Sequence, residues 1–242
     1  MRIPRVFIDI PLDIGTHITL PIEAHRHIIN VLRLKEGHSV ILFNGLGSEF
    51  LSQIVSIEKK QSSVKVLEEN STPTSSPLKI ELALSLIKND KFDFALQKSV
   101  ELGIDSISPI VANRSTIKVD SKREQNRRNH WMGIIQNACE QSGRTTIPQL
   151  NPICSIDDWL TLSDSPVLLF EPTASATLQS LSPMKKVRVI IGPEGGFTDK
   201  ELELMNHSNI HMLKLGPRVL RAETAAITAV SALQLLMGDL NL

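Results

Sequence analysis

The sequence predicts a two-domain α/β protein, in which a small β-rich N-terminal domain precedes a larger domain with a mostly parallel sheet. Short strand patterns fill roughly the first seventy residues. A polar, proline-containing stretch then follows and predicts a linker; it is NSTPTSSP, at Asn70 to Pro77. After it, apolar strand patterns alternate with helical ones, which is typical of a parallel sheet covered by helices. We therefore expect domains at residues 1–72 and 73–242.

Length and composition place limits on the function. The chain has 242 residues, 41% of them hydrophobic, which suffices for a sizeable core. Its 26 basic residues balance its 26 acidic ones, which argues against a protein that coats nucleic acid through bulk charge. No apolar run reaches the roughly 18 residues of a membrane span, and MRIPRVFIDIPLDIG lacks the features of a secretion signal. The cysteines, Cys139 and Cys154, suit a reducing compartment, so we expect a cytoplasmic protein with no membrane contact and no metal.

The N-terminal domain is expected to be a small barrel. The strand patterns VFIDI, SVILFNG, EFLSQIVSIE and SSVKVLEE are separated by turn residues, and NGLG at Asn44 to Gly47 suggests a tight hairpin connection. One short helix is expected from Ile22 to Leu34, after Pro21. Short strands joined in this way are typical of a small barrel.

The C-terminal domain shows the alternation most clearly. Strands are expected at Leu78 to Ile87, in SISPIV, and at Pro166 to Phe170, Val187 to Ile191 and His211 to Leu215. Helices are expected from a cap at Asp90 to a stop at Gly103, up to about Ser142, from Asp199, and from Ala222 to Leu236. Ligands of such sheets bind beyond the carboxyl ends of the strands.

A glycine-rich turn, IIGPEGGFT at Ile190 to Thr198, lies between a strand and a helix. Thr198 and Glu201 form a capping-box pattern, so the helix begins directly after the glycines. The turn has neither the Lys of a P-loop nor the glycine spacing of a dinucleotide fingerprint, and Glu194 would repel phosphate. It predicts either a neutral or cationic ligand held by backbone groups or a purely structural turn. Whether Glu194 contacts a ligand or only shapes the turn stays open.

A second glycine turn, LKLGPRVLRAETA at Leu213 to Ala225, repeats the arrangement. Arg218 and Arg221 flank it, and Glu223 falls in the first turn of the final helix, where an acid also stabilises the helix dipole. The small residues of AETAAITAVSALQLL predict that this helix is buried. Two glycine turns at neighbouring strand ends predict one pocket between them.

A basic segment precedes a helix with a polar stripe. NRSTIKVDSKREQNRR, at Asn113 to Arg128, has a surplus of positive charge and is either a solvated surface or a phosphate-contacting face. The candidate phosphate contacts in it are Arg114, Lys118, Arg127 and Arg128. On HWMGIIQNACEQSGR, the side chains of Asn137, Glu140, Gln141 and Arg144 recur at helical spacing beside an apolar face. This stripe is either a solvated helix face or an RNA-facing surface.

Together these segments resemble the RsmE family of ribosomal RNA methyltransferases, which belong to the SPOUT class and modify a uridine ring nitrogen (N3) in small-subunit RNA. The resemblance is carried by LIKNDKFDFALQKSVELG, ACEQSGRTTIP, IIGPEGGFT and LGPRVLRAETAAITAVSALQ, and near the N-terminus by RIPRVF, HIINVLR and NGLGSEF. It covers nearly the whole chain, in the expected order.

The resemblance implies an N-terminal PUA-like β-barrel that helps to bind RNA and a C-terminal SPOUT α/β domain with a deep trefoil knot. General rules of topology predict an unknotted doubly wound sheet instead. The resemblance also implies S-adenosylmethionine as the cofactor, held in the knot, and 16S ribosomal RNA of the small subunit as the substrate. It further implies a homodimer with each site near the dimer interface.

Three segments correspond by position to the family's cofactor loops. The cofactor-binding residues implied are Leu169, Phe170, Glu171 and Pro172 in the first loop, Gly192, Pro193, Glu194, Gly195 and Gly196 in the second, and Leu215, Gly216, Leu220, Arg221, Thr224 and Ala225 in the third. The RNA-facing positions implied are Asn137, Glu140, Gln141 and Arg144 beside the target uridine, and Arg5, His27 and Arg33 on the barrel.

The chemistry implied is methyl transfer to uridine N3, which requires an aligned nitrogen, a base for its proton and a donor for the charge on the uracil oxygens. Glu140 and Glu223 are the candidate bases, and Arg144 and Arg221 are the candidate charge-stabilising groups. A purely structural role for Glu223, as a cap of the final helix, stays open. The alternative function is a non-catalytic RNA-binding ribosome-assembly factor, which would not need the two glycine turns.

Overall fold

The computed structural model describes residues 3–71, 74–115, 121–206 and 209–240, with the side chains of Ser121 and Lys122 left out. Its chain forms two compact units, Met1–Ser75 with Cys139–Ile147, and Ser76–Ala138 with Pro148–Leu242. The linker residues Thr72 and Pro73 lie outside the described residues. Nothing in the sequence pattern indicates that Cys139–Ile147, so far along the chain, packs with the first unit.

The first unit contains a five-stranded sheet. Its strands are β1 (Arg5–Phe7), β2 (His17–Thr19), β3 (Ser39–Phe43), β4 (Glu49–Ile57) and β5 (Ser62–Asn70), in the spatial order β1-β3-β4-β5-β2. β1 pairs with β3 in parallel, and the other pairings are antiparallel. Alternate side chains of β4 and β5, among them Phe50, Ile54, Val64 and Val66, fill the core of this unit, as the period of two in their sequence predicts.

The helix expected from Ile22 to Leu34 is shorter and irregular. An α-helix, α1, spans Ile22–Arg26 and passes directly into a π-helical segment, His27–Val31. Arg33 then has a φ of 55°. A helix does not continue through a residue in this left-handed conformation, which side chains other than glycine rarely adopt. The helix therefore ends before Leu34.

The second unit is built on a parallel sheet. Its strands are β6 (Lys79–Ser85), β7 (Ser106–Val111), β8 (Gln149–Leu150), β9 (Cys154–Ser155), β10 (Val167–Phe170), β11 (Lys186–Ile191) and β12 (Ile210–Leu213). Their order is β12-β10-β11-β6-β7-β8, with β9 also paired to β7. Every pairing in this sheet is parallel, which confirms the expectation for the C-terminal half.

The helices of this part of the chain are α2 (Asn89–Glu101), α3 (Ser121–Ser142), whose last turn belongs to the first unit, α4 (Ile156–Thr161), α5 (Asp199–Leu204) and α6 (Ala222–Met237). Asp90 is not the cap of α2 as expected, because the N-cap position is Lys88 and Asp90 lies in the first turn. The capping box of Thr198 and Glu201 at the start of α5 is confirmed. Sequence periodicity missed β8, β9 and α4, which are too short to show a period.

The carboxyl ends of the parallel strands position the candidate site. The side chains of β10 are buried throughout, and those of β11 are buried from Val187 onward, so both strands are fixed within the core. Because β10 pairs in parallel with both β11 and β12, the turns that follow these three strands leave the sheet along one edge. Within the described ranges, no helix combines the length and apolarity needed to cross a bilayer.

Candidate functional site at the carboxyl edge of the parallel sheet

A cavity of about 420 Å³ opens at the carboxyl edge of the parallel sheet. Its walls come from Phe170–Pro172 after β10, Ile191–Phe197 after β11, and residues 215–225, which lead into α6. Small-molecule sites typically have volumes of roughly 300–1,000 Å³. The two glycine turns thus border one pocket, where sequence spacing alone predicted it.

Nearly all of the residues expected to bind the cofactor line this cavity. Leu169 does not, because it is buried within β10 and pairs with Ile190 of β11. Thr224, in the first turn of α6, is exposed but does not line the cavity either. The cavity has further lining residues outside the expected set: Ile191, Phe197, Arg218, Val219 and Ala222. The apolar ones among them resemble core residues in sequence, so no signal distinguishes them.

Two glycines of the first turn are needed for different reasons. A Cβ at Gly192 would lie 3.0 Å from Cε2 of the buried Phe197 ring, so that ring or the turn would have to shift. Gly196 has a φ of 69°, and its N–H donates a 2.9 Å hydrogen bond to the carbonyl of Pro193. Side chains rarely adopt this conformation, so the turn requires glycine there.

Hydrogen bonds from the loop after β7 hold the same turn in place. Arg114 donates from Nη1 to the carbonyl oxygens of Gly195, at 2.9 Å, and Phe197, at 3.2 Å. The buried Glu201 accepts from the backbone N–H of Asn113 at 2.8 Å, and its other carboxylate oxygen accepts from the N–H and hydroxyl of Thr198. The guanidinium of Arg114, a candidate phosphate contact, thus donates through Nη1 to the glycine turn.

The charged side chains that line the cavity are Glu171, Glu194, Arg218 and Arg221. Glu194, Arg218 and Arg221 are exposed at its rim. Arg221 is also the N-cap residue of α6, although its side chain makes no capping hydrogen bond. The two acids and two arginines leave the lining without net formal charge, and the acids place negative charge beside the backbone groups of the glycine turn.

Glu223, one of the two candidate bases, does not line the cavity. Its carboxylate is buried, and Oε1 lies 3.8 Å from Nζ of Lys91 on α2. It occupies the first turn of α6, where the helix dipole also favours an acid. Glu223 thus lies against α2 and not in the cavity.

The other candidate base, Glu140, lies in the first unit. Its Oε1 accepts a 2.9 Å hydrogen bond from the N–H of Phe7. Burial raises the pKa of Glu140, and this effect outweighs the lowering by the Phe7 N–H, His27 and Arg5. A carboxylate with a raised pKa is a better proton acceptor near neutral pH.

The polar stripe does not extend to Arg144. α3 ends at Ser142, and Gly143 has a φ of 87°, so Arg144 leaves the helix and is only 7% exposed. Its carbonyl accepts a 3.0 Å hydrogen bond from Nη2 of Arg5, which also pairs with Glu49. Arg5 and Arg144 are thus buried together in the first unit, whereas Asn137 and Gln141 are exposed. A helical repeat cannot show where the helix stops.

The remaining RNA-binding candidates differ in their surroundings. Arg128 donates from Nη1 to the carbonyl of Asn151 at 2.7 Å and from Nη2 to that of Leu150 at 3.2 Å. Arg127 lies over the ring of Trp131, with its guanidinium carbon 5.9 Å from the centroid. His27 is half-buried, Arg33 is exposed, and Lys118 lies outside the described residues. No group of three or more His, Cys, Asp or Glu suited to a metal occurs in the described part of the chain.

Comparison with known proteins identifies the class of protein to which this fold and cavity belong. The RNA methyltransferase domain family matches residues 74–234, and the RNA methyltransferase PUA domain family matches residues 23–67. Both matches are to domains of RNA methyltransferases, so the fold and cavity belong to an RNA methyltransferase.

Comparison with individual relatives identifies the family more specifically. The chain is 35% identical to ribosomal RNA small subunit methyltransferase E of Buchnera aphidicola, over 99% of each chain. It is 34% identical to the solved ribosomal RNA small subunit methyltransferase E of Neisseria gonorrhoeae bound to S-adenosylmethionine, with a TM-score of 0.92 and coverage of 99% of this chain and 100% of the other. A methyltransferase of Legionella pneumophila solved with bound S-adenosylmethionine is 38% identical over 99% of this chain and 100% of its own, with a TM-score of 0.96. The chain belongs to the ribosomal RNA small subunit methyltransferase E family.

Proposed function

We propose that this protein methylates N3 of a uridine in 16S ribosomal RNA of the small subunit, with S-adenosylmethionine as methyl donor. The observation that carries the proposal is the cavity at the carboxyl edge of the parallel sheet. Its walls are the three segments that the family resemblance assigns to the cofactor, in a chain of the same family as a protein solved with that cofactor.

The residues of the cavity fit this cofactor. Its apolar lining residues, among them Phe170, Ile191 and Phe197, can cover an adenine ring, and the backbone groups of Gly192–Gly196 can hydrogen-bond to it. Glu194 and Glu171 suit the positive charge of a sulfonium rather than a phosphate. When bound, S-adenosylmethionine supplies a methyl group on a good leaving group, so no metal is required.

Two further tasks fall to side chains of the chain itself. The N3 proton must be removed, and Glu140 and Glu223 both stay candidate bases, because neither of them lines the cavity. Burial raises the pKa of Glu140, whereas the carboxylate of Glu223 lies 3.8 Å from Nζ of Lys91. Negative charge on the uracil oxygens must be stabilised, and Arg221 is the better candidate for this role, because it lines the cavity whereas Arg144 is buried in the first unit. Because N3 takes part in base pairing, the target uridine must be unpaired or flipped out of a helix.

We propose that the active form is a homodimer. Three leucines at or just after the end of α6, Leu235, Leu236 and Leu240, are 55%, 51% and 50% exposed. Neighbouring exposed leucines are typical of a surface that another chain covers. A second copy of this chain is the partner that the family resemblance implies.

The deep trefoil knot of the SPOUT class is also part of this proposal. It is supported by the sheet order, in which β10 lies between the later strands β11 and β12, and by the two glycine turns that border one cavity. An enzyme acting on ribosomal RNA would work in the cytoplasm, where small subunits are assembled.

Two measurements test the function. Calorimetric titration should show binding of S-adenosylmethionine by the purified protein. Methylation of isolated 30S particles and of naked 16S RNA, followed by nucleoside mass spectrometry, should then yield N3-methyluridine. RNA binding without cofactor binding would favour the non-catalytic assembly factor instead, and a different methylated nucleoside would overturn the N3 assignment.

A further inference from the structure

The guanidinium of Arg114 joins two loops that come from different strands. Arg114 follows β7, whereas its two acceptors, the carbonyl oxygens of Gly195 and Phe197, follow β11. The two bonds bracket Gly196, the residue of the turn with the left-handed conformation. A single side chain therefore holds the backbone on both sides of the turn's left-handed residue.

Packing adds a second, independent contact between the same residues. A Cβ at Gly195 would lie 3.3 Å from Cβ of Arg114 and 3.4 Å from its Cδ. The aliphatic part of Arg114 thus lies directly against the Gly195 backbone, while its charged end binds the carbonyls.

A turn of this composition needs external support. Glycine loses more conformational freedom on ordering than any other residue, and Gly192, Gly195 and Gly196 all lie within this turn. Glu201 secures the end of the turn at Thr198, but its hydrogen bonds do not reach Gly195. Arg114 supplies the hydrogen bonds to the middle of the turn, at the carbonyls of Gly195 and Phe197.

We propose that Arg114 is a positioning residue of the cavity, which holds the Gly195–Phe197 backbone in the conformation that binds S-adenosylmethionine and does not itself bind RNA. This inference rests on the proposed function. It separates Arg114 from the rest of the basic segment, Asn113 to Arg128, to which its charge alone would assign it. An ordered turn binds a ligand more tightly than a disordered one, because the ordering cost is met before binding.

The test compares Arg114→Gln with Arg123→Gln, which removes the same charge from an exposed position of the same segment. In the ligand-free protein, hydrogen exchange of the Gly196 and Thr198 amides should be faster in Arg114→Gln than in Arg123→Gln. Calorimetry should give about tenfold weaker binding of S-adenosylmethionine by Arg114→Gln, the size expected for losing charge-assisted hydrogen bonds at a partly exposed site. Its affinity for 16S RNA should fall no more than that of Arg123→Gln. If Arg114→Gln fails to fold, Arg114→Lys serves for the same comparison, because it keeps the charge and loses the planar guanidinium.

Unchanged exchange at Gly196 and Thr198, or unchanged cofactor affinity in Arg114→Gln, would overturn the positioning role. A selective loss of RNA affinity in this variant would do the same. Failure of the wild-type protein to bind S-adenosylmethionine would instead refute the proposed function, and the exchange comparison would still test whether Arg114 orders the turn.

Discussion

Nε of Arg188, a fully buried side chain on β11, lies 3.2 Å from Oε2 of Glu81 on the neighbouring strand β6. The other oxygen of this carboxylate accepts from Nε1 of Trp159 at 2.6 Å and from the hydroxyl of Ser108 at 2.8 Å. The Arg188 guanidinium stacks on the Trp159 ring, with 3.7 Å between its central carbon and the ring centroid. Arg188 is thus paired on one side by a carboxylate and covered on another by an aromatic ring.

Glu81→Gln should therefore destabilise the fold strongly. It would leave the Arg188 charge buried without its counter-charge, a change that typically costs about 3–5 kcal/mol. Urea unfolding measures the loss. The matched control is Lys98→Gln, which removes the partly exposed Lys98–Glu101 pair and should change the stability by less than about 1 kcal/mol. Similar small losses of stability in both variants would show that the buried Arg188–Glu81 pair contributes no more to stability than a partly exposed pair.

Gly192→Ala should weaken cofactor binding, because its new methyl group would lie 3.0 Å from the buried Phe197 ring and force that ring or the turn to shift. We expect affinity for S-adenosylmethionine to fall by at least about tenfold in calorimetry. Gly133→Ala is the control, since Gly133 lies within α3 and has open space at its Cβ position. That variant should gain about 0.5–1 kcal/mol of stability and keep its affinity. Equal affinities in the two variants would show that the Phe197 contact does not shape the cavity.

Glu140→Gln should alter the pH dependence of stability in a defined direction. Burial raises the pKa of Glu140 above its usual 4.5, so the folded state holds the proton more tightly than the unfolded state. The contribution of this carboxyl to stability is therefore fully present below about pH 4.5 and is lost as the pH rises through the folded-state pKa. Relative to wild type, the Gln variant should gain thermal stability as the pH rises above about 4.5.

Thermal unfolding at a series of pH values measures this difference. Glu68→Gln, at an exposed position of β5, corrects for the loss of one negative charge from the protein. A Glu140→Gln curve that falls relative to wild type with rising pH would contradict the assigned direction of the pKa shift.

The sequence predicted the long strands and helices, whose hydrophobic periodicity extends over many residues. It also predicted the turns that are determined by neighbouring glycines and capping residues. β11, the glycine turn and α5 form one continuous signal, because an apolar strand, three glycines and a capping box follow within a few residues. The same local patterns, the two glycine turns, predicted most of the residues that line the cavity. The π-helical segment His27–Val31 was missed, because it differs from an α-helix in hydrogen bonds that span one residue more and not in composition.

The surroundings of individual charges could not be predicted. Arg114 and Arg128 belong to a segment that is basic in sequence, but their acceptors are carbonyls far along the chain, at Gly195, Phe197, Leu150 and Asn151. Any residue type can supply a carbonyl oxygen, so charge patterning has no means of finding these partners. The burial of Arg144 was missed for a related reason, since it depends on a helix end and on contacts with the N-terminal strands.

Arg127 and Arg128 should therefore respond differently to the same substitution. Arg128→Gln removes the donors to the carbonyls of Leu150 and Asn151, so it should lower the free energy of unfolding by about 1–3 kcal/mol. The guanidinium carbon of Arg127 lies 5.9 Å from the Trp131 ring centroid, a cation–π contact that does not itself use the N–H donors that can bind phosphate. On the proposed function, Arg127→Gln should weaken binding of 16S RNA, reduce the slope of log affinity against log salt by about one, and change the stability by less than about 1 kcal/mol. Filter binding across a salt series and urea unfolding of both variants separate the two effects. Loss of RNA affinity confined to Arg128→Gln, with full stability, would reverse the assignment and place the phosphate contact at Arg128.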